Sequence, residues 1–573
     1  MKSILATDII KREQTLRTNR ADWEAAWQAV ADVTLPVSVD FKHYGIQAPT
    51  GAAHSAPRSR ARTADIYDQT AMMAVQRWGA ALESMITPRS SKWHNLSLQD
   101  GEVEGSAGDE ERKWLERLRD VMFKHRYASG TGFAGSIQSI YRSLGSFGAG
   151  FMYVEDGYKL GNSKPILYRP IHLSEMVIDQ NAYGQMDTAM RRFSLSARQA
   201  LNLFQEDCPS KIKEAAENTG EPDKRYSFIQ AVFPREDKWQ GKTRTIQTTE
   251  FQSALVFVED EEVIYAKGYH EMPFIDFRLD RQPGEIYSES PALIALPEVR
   301  GINAMARDTL RAVQQISSPA YAAADMKTKG GRVNLNANKI NKGLIDPATG
   351  RLLIQPIQSG GRPDIAMGLM QDKREMIKEA FYVNLFQTLA DAPNMTATQS
   401  LIRDREKGEL LGPIGAQVQT SLDRLVEREG GILKRSGLYE DGSPYAPPPT
   451  IPGRNWAVEF TSPLDRLRRA EEGVGTMRTF ETMMSVAQYD PNVMDLLETD
   501  EAVRGLAEIN GMPSKFLRSA DAVQELRGDR EDSTTKQTAL NEATQAAGIA
   551  SALGMSPPSP EEGAPDANIE QLV

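Results

Sequence analysis

The sequence has one cysteine, Cys208, in 573 residues. That excludes an internal disulfide framework and any zinc cluster built on paired thiolates. No stretch reaches the ~18 uninterrupted apolar residues that a spanning helix needs. Residues 1–8 hold no apolar run of signal-peptide length. The expectation is a reducing, aqueous compartment and no membrane. A phosphate-loop consensus and a Gly-x-Ser-x-Gly elbow are both missing. The six histidines (His43, His54, His94, His125, His172 and His270) never recur at helical spacing, so no helical zinc site is encoded. A basic excess is missing too: 67 Lys and Arg stand against 78 Asp and Glu, a net charge of −11. This disfavours a protein that coats duplex DNA, but not one that lets DNA pass without sticking. The residues offer no catalytic group, metal ligand set or cofactor site, and the reading is a non-enzyme.

What is present is a packed chain, 40% hydrophobic and 25% charged, long enough for several domains. Helical spacing of apolar residues predicts helices over 9–33, 65–86, 110–127 and 133–144. Gly130-x-Gly132-x-x-Gly135 matches a dinucleotide fingerprint in letters only. It follows a helix where that motif needs a strand, so it reads as a helix–helix turn. From Gly150 to Leu279 short β-branched and aromatic runs, separated by Gly, Asn and Pro, predict a β-meander interrupted by a helix near 196–204. The fold class is α+β, without regular βαβ alternation.

The character changes after 288. Val299, Ile302, Ala306, Leu310, Val313 and Ile316 form one stripe of a helix over 290–318. Arg300, Arg307, Arg311 and Gln314 lie on a second, polar stripe. Ser290 suits the cap and Pro291 the first turn, while Pro297 kinks the helix or starts it. A short non-helical segment follows. Between Tyr321 and Arg351 it carries Lys327, Lys329, Arg332, Lys339, Lys342 and Arg351 against Asp325 and Asp346. The net of +4 is a solvated loop in one chain and a basic annulus in a ring. A second helix is predicted over 372–389, on Ile377, Phe381, Leu385 and Leu389. After a brief break, Thr396-x-x-Gln399 opens a third helix, with Pro413 inside it and a bend expected there. Such a two-helix arm cannot bury its apolar stripe alone; packing against copies of itself can, and a head-to-tail contact that closes gives a ring. After Gly528, eight acids stand against two bases and Ser556-Pro-Pro-Ser-Pro560 occurs, so residues 528–573 are expected to be largely disordered.

Several motifs occur in an order that resembles the head–tail connector, or portal, proteins of short-tailed phages. They are Asp68-x-Thr70-Ala71 with Ser84-Met-Ile-Thr-Pro88 and Trp93; Gly284-Glu-Ile-Tyr287 with Ser290-Pro291-Ala292, Pro297, Asn303, Asp308 and Leu310; Asn394-Met-Thr-Ala-Thr398 with Arg403, Glu406 and Leu411-Gly-Pro413; and Phe460-Thr-Ser-Pro463-Leu464. The resemblance spans about residues 10–530. It implies a subunit with a wing (1–288), a stem helix (289–318), a clip (319–369), a second stem helix (370–389) and a tunnel loop (390–395). A long kinked helix (396–437), a return segment with a strand (438–470), a helical crown (471–527) and the acidic tail (528–573) follow. It further implies a twelve-subunit homo-oligomeric ring at one capsid vertex, through which double-stranded DNA is packaged and ejected. The partners it implies are the terminase large subunit, tail adaptor or nozzle proteins, and scaffold and major capsid proteins. The place is the virion, and the host cytoplasm during assembly. On this reading Asp391, Ala392, Pro393, Asn394 and Met395 approach the DNA. The basic clip residues meet motor, adaptor or DNA, and the stripe at 300–314 serves subunit contacts or the lumen. The rivals are another virion ring, such as a tail adaptor, and a metal-dependent nucleic-acid hydrolase.

Overall fold

A computed structural model describes residues 6–35, 41, 63, 65–98, 106–158, 161–217, 221–235, 249–279, 281–323, 345, 348–357, 363–387, 397–439, 443, 445–449, 456–487, 496, 500, 502–505, 516, 518 and 520–552. They fall into two compact units. The first is built from residues 1–97, 115–446 and 456–479, and the second from 98–114, 447–455 and 480–573.

The first unit opens with α1 (Ala6–Asn19) and α2 (Ala21–Thr34). Sequence spacing predicts one helix here; the structure divides it at Arg20. The Arg20 side chain is buried and donates to the carbonyl oxygens of Leu173, Ser174 and Met176 and to Glu24. Anchoring that cation on a different segment turns the chain between the two helices. Helices α3 (Thr70–Ile86), α4 (Ser106–Arg126) and α5 (Phe133–Phe147) follow, with α4 shared between the two units. The glycine motif is the α4–α5 turn. Gly130 and Gly132 have φ of 85° and 84°, and a Cβ on Gly132 would lie 2.6 Å from the Tyr168 carbonyl oxygen. The glycines thus serve conformation and close approach, as the turn reading requires.

The predicted meander is present as a five-stranded antiparallel sheet in the order β4-β5-β6-β7-β8 (Met176–Gln180, Met186–Ser196, Arg225–Pro234, Phe251–Phe257, Glu262–Tyr269). The period-2 alternation of its strands gives two apolar faces. Ile229, Ala231, Ala254 and Val256 pack under Ile9, Ile10 and Leu16 of α1. Tyr226, Phe228, Leu255 and Phe257 face α6 (Ala197–Phe204) and α7 (Ser210–Glu217), where Cys208 is buried among them. The register of β7 against β8 shifts at Leu255/Val256. A smaller sheet, β3-β2-β9 (Ile166–Ile171, Ala149–Asp156, Phe274–Arg278), pairs strands more than a hundred residues apart.

The helical arm follows: α8 (Pro291–Ser317), the short strands β10 (Tyr321–Ala323) and β11 (Ile354–Pro356), and α9 (Pro363–Ala380). The Ser290 hydroxyl caps α8, accepting from the Leu293 amide at 3.0 Å, and Pro297 lies within the helix. The second arm helix corrects the 372–389 expectation. It begins nine residues earlier and stops at Ala380, and a separate short helix, α10 (Val383–Gln387), follows. Tyr382 causes the break, with φ of 54°, a left-handed conformation that ends a helix and is rare for a bulky side chain. Its ring lies 6.0 Å from buried Trp78, and Phe386 lies 6.4 Å from the same indole.

Helix α11 (Ala397–Arg435) runs through Pro413 as one element, and Leu411, Val418, Leu422 and Leu425 are buried. A Cβ on Gly430 would lie 2.6 Å from the Trp456 ring, so the bare backbone lets β12 (Trp456–Phe460) cross closely. Strand β12 pairs with β1 (His94–Leu98), and α12 (Pro463–Ala487) follows. Within the second unit α13 (Ala520–Ala552) is helical well past Gly528. This corrects the expectation of disorder from that residue onward. Ala539, Ala543, Ala546, Ala547 and Ala550 are strong helix formers, and the first proline after Gly528 is Pro557.

One buried ionic cluster joins α4, β1, β3 and α11. Arg126 and Glu429 are both fully buried and form a salt bridge. Tyr168 donates to Glu429 at 2.7 Å, and Arg126 donates to His94 Nε2 at 3.1 Å. The guanidinium also sits 4.5 Å from the Trp93 ring and 4.8 Å from Phe123. Burial works against the Arg126 charge, but the charge and hydrogen bonds of Glu429 outweigh it and raise its pKa. Burial first and the Arg126 charge second hold His94 well below the usual histidine range. It is therefore the neutral acceptor that the Arg126 contact needs. Beyond this cluster, Glu271 accepts from Arg428 at 2.8 Å and from both Nη atoms of Arg435 at 2.6 and 2.7 Å.

Arg126→Met should lower the unfolding free energy by roughly 3–5 kcal/mol, because it strands a buried carboxylate; urea denaturation measures this. Depressed histidines add stability that is full above pH 6.5 and is lost as pH falls below it. His172, held at about 4 chiefly by burial, acts in the same direction. His94→Gln should therefore flatten the decline in stability between pH 6.5 and 4, which melting curves across that window would register.

Candidate channel arm and its anchor

The arm changes character along its length. On α8, Val299, Ile302 and Ala306 are buried, while Leu310, Val313 and Ile316 on the same stripe are 52%, 46% and 53% exposed. Helix α9 repeats this in reverse. Ile365, Met367 and Leu369 are exposed, and Met370 and Ile377, with Phe381 just past its end, are buried. Because β10 and β11 pair antiparallel, the exposed halves of both helices lie at the strand end of the arm. Buried apolar residues at one end fix the arm to the body, and apolar side chains are left exposed at the other.

Two polar contacts set the arm's root. The Asn303 Oδ1 accepts from the backbone amides of Tyr67 and Asp68, each at 3.0 Å. Asp68 in turn accepts from Arg374 of α9 at 3.0 Å and from the Thr70 amide at 2.9 Å. Burial raises the Asp68 pKa, but hydrogen bonds from Thr70 and the charge of Arg374 outweigh it, and the carboxyl titrates below its usual range. Lys373 pairs with Glu298 across α8 and α9.

The polar stripe is where its spacing predicts. Arg300, Arg311 and Gln314 are exposed on α8 and Arg307 is half-buried. Asp308 lies 3.1 Å from Arg307 and 3.9 Å from Arg311, so two guanidiniums share one carboxylate. Of the basic segment, Arg351 is exposed at a turn before β11, while Lys327, Lys329, Arg332, Lys339 and Lys342 lie outside the described residues. So do Asp391, Ala392, Pro393, Asn394 and Met395. Among the described residues no group of three His, Cys, Asp or Glu could hold a metal ion, and no helix is long and apolar enough to cross a membrane.

Motifs that are far apart in sequence meet in space. Asp68 of the first motif and Asn303 of the second make the arm's root. Trp93 stacks on Phe460 with ring centroids 6.5 Å apart, and its carbonyl accepts from the Thr461 amide at 3.0 Å. Sequence inspection misses Arg374, Arg126 and Glu429, because nothing local marks one charged helix residue from another.

The family model for "Bacteriophage head to tail connecting protein" matches residues 6–517. The chain belongs to this family. The connector is 25% identical over 560 residues to a protein of Bordetella phage BPP-1 described as a probable portal protein, covering 95% of each chain. It is 22% identical over 536 residues to the portal protein of Salmonella phage epsilon15, covering 91% of this chain and 90% of that one. Among solved structures, the connector is similar to a chain in the neck of a native gene transfer agent particle computed with C12 symmetry. The identity is 11%, the TM-score 0.37, and the coverage 82% of this chain and 97% of that one. A chain of the virion of the native particle gives 12% identity and a TM-score of 0.35, with 72% and 85% covered. The resemblance read from the ordered motifs is borne out by the family match.

Asp68→Asn should loosen the arm's root by removing the charge that faces the part-exposed Arg374, a loss of roughly 0.2–1 kcal/mol. The sign for a depressed carboxyl is that its contribution is full above pH 3.8 and lost as pH falls through the lowered value. The difference between wild type and Asp68→Asn should therefore shrink in acid, as paired denaturation curves would reveal.

Proposed function

We propose that the connector works as a portal: a ring of twelve copies at one capsid vertex that conducts double-stranded DNA during packaging and ejection. The observation that carries this is the arm, whose apolar stripe is buried at its root and open toward its strand end. A lone arm exposing Leu310, Val313, Ile316, Ile365, Met367 and Leu369 leaves apolar surface in water at roughly 25 cal/mol per Å². Neighbouring arms packed side by side around an axis bury it, and a head-to-tail contact of this kind closes into a ring.

In this reading the role is structural and involves no bond chemistry. The stripe of Arg300, Arg307, Arg311 and Gln314 faces a neighbouring arm or the lumen. Lys327, Lys329, Arg332, Lys339, Lys342 and Arg351 present a basic rim to the terminase large subunit, then to tail adaptor proteins. Residues 391–395 lie close to the passing duplex. The net charge of −11 keeps a conducting wall from holding phosphates. Scaffold and major capsid proteins are the partners during assembly in the host cytoplasm.

Negative-stain images viewed down the particle axis should show rings with a central hole and about twelve lobes, as the family resemblance implies. Replacing Leu310, Val313 and Ile316 together by Ser should abolish the rings while the isolated subunit keeps its melting temperature. Rings that survive this triple change would overturn the arm-to-arm contact.

A further inference from the structure

A cavity of about 420 Å³ lies where the segment after β9 passes beside α11, and Gly184 of the β4–β5 turn also lines it. Three guanidiniums converge on it: Arg278, Arg281 and Arg424. Asp276 is the carboxylate that two of them share, pairing with Arg278 at 2.7 Å and with Arg424 at 2.6 Å. Arg281 pairs with no carboxylate among the described residues. Its Nη1 donates to neutral acceptors, the Gln180 amide oxygen at 3.3 Å and the Gly184 carbonyl at 2.6 Å. Its pKa is lowered, by burial first and then by the charges of Arg278 and Arg424, with the Asp276 charge acting against them.

Ser421 also lines the cavity, at 2% exposure. The walls are set in advance. Arg278 and Arg424 are fixed by Asp276, and Arg278 also donates to the Ile286 carbonyl at 3.0 Å. A planar, five-donor guanidinium held in place suits a carboxylate or phosphate oxyanion.

Building on the ring reading above, we propose that this cavity is an oxyanion site which takes an acidic side chain of a second copy of the chain. The chain's own excess of acids, 78 against 67 bases, makes a neighbouring copy a ready source. A specific donor is near at hand on the same helix. Residues 417, 420, 421 and 424 share the face of α11 that lines the cavity. Asp423 and Glu427, one turn apart, lie on the next face, exposed and without a salt-bridge cation among the described residues. Burial and the Asp423 charge both disfavour ionisation of Glu427. The cavity therefore carries three guanidiniums against two carboxylates, Asp276 and Glu285, and the adjoining face two carboxylates with Arg424 as the cation acting on both, a charge difference that a head-to-tail contact can use.

The test compares full-length wild type with Arg281→Glu, Arg281→Lys and the combination Arg281→Glu with Glu427→Arg, each measured by mass photometry over a dilution and salt series. Circular dichroism melting confirms that each subunit folds. The expected result is that Arg281→Glu needs at least roughly tenfold more protein for half-assembly, about 1.4 kcal/mol per mole of contact. Arg281→Lys should restore most of the loss, the charge-swapped combination part of it, and the differences should shrink with salt. Arg281→Glu rings as stable as wild type at low salt would overturn the proposal and leave the ring reading standing. Wild type that remains monomeric across the series would overturn the ring reading and this one with it. If Arg281→Glu rings are unaffected and inorganic phosphate binds wild type with millimolar or better affinity by calorimetry, the oxyanion comes from a phosphate and the second-copy assignment is wrong.

Discussion

The Arg126–Glu429 pair is the contact on which the first unit's architecture depends. It joins the end of α4 to a helix 303 residues further along the chain. Taking two charges out of water costs several kcal/mol each, and their attraction only about repays it. The bulk of the stability comes instead from the apolar clusters that clad the meander, where each large buried side chain contributes about 1.5–3 kcal/mol. The ionic cluster does something that those clusters cannot. Apolar faces tolerate sliding, whereas a guanidinium facing a carboxylate, an imidazole and three aromatic rings has one low-energy position. Glu271, gripped by Arg428 and Arg435 of α11, repeats the arrangement further along the helix. Together they fix the rotation and height of α11, and hence the position of the cavity wall and of β12.

The arm depends on that fixed frame in turn. Its root is held by Asn303, Asp68 and Arg374, and its far half exposes Leu310, Val313 and Ile316 among the described residues. A subunit organised this way separates two tasks along one pair of helices. The buried end takes its position from the body, and the other end carries the exposed apolar side chains. The left-handed Tyr382 closes the arm by stopping α9 short, so that α10 packs its Phe386 on Trp78 rather than extending the helix.

The strands and the fold class were legible because period-2 alternation is a local property, as in Tyr226 to Phe233. The caps of α8 were legible for the same reason, since Ser290 and Pro291 carry their meaning with them. The pairing of β2 with β9 was not, because registers between strands more than a hundred residues apart leave no mark on either. The end of α9 was missed because the residue that ends it is a tyrosine, held left-handed by a distant indole. The α13 helix was missed because net charge was weighed over the alanine content that favours a helix without an apolar face. As for the site, the exposed stripe at 300–314 followed from spacing alone. The arm's root did not, since Arg374 reads as one charged helix residue among many. The ordered motifs carried the family, and two of them turn out to be halves of single contacts, Asp68 with Asn303 and Trp93 with Phe460.

The five-stranded meander has a consequence for a protein that must gather many copies of itself in one place. Its final strand, β8, has no further strand beside it among the described residues, and an unpaired edge is a template on which another chain can continue the sheet. Crowding identical subunits raises that hazard. Strand β8 has exposed Glu262 and Lys267, and the register shift at Leu255/Val256 disturbs the ladder beside it. Charge and irregular pairing are the usual means by which natural sheets refuse a further strand.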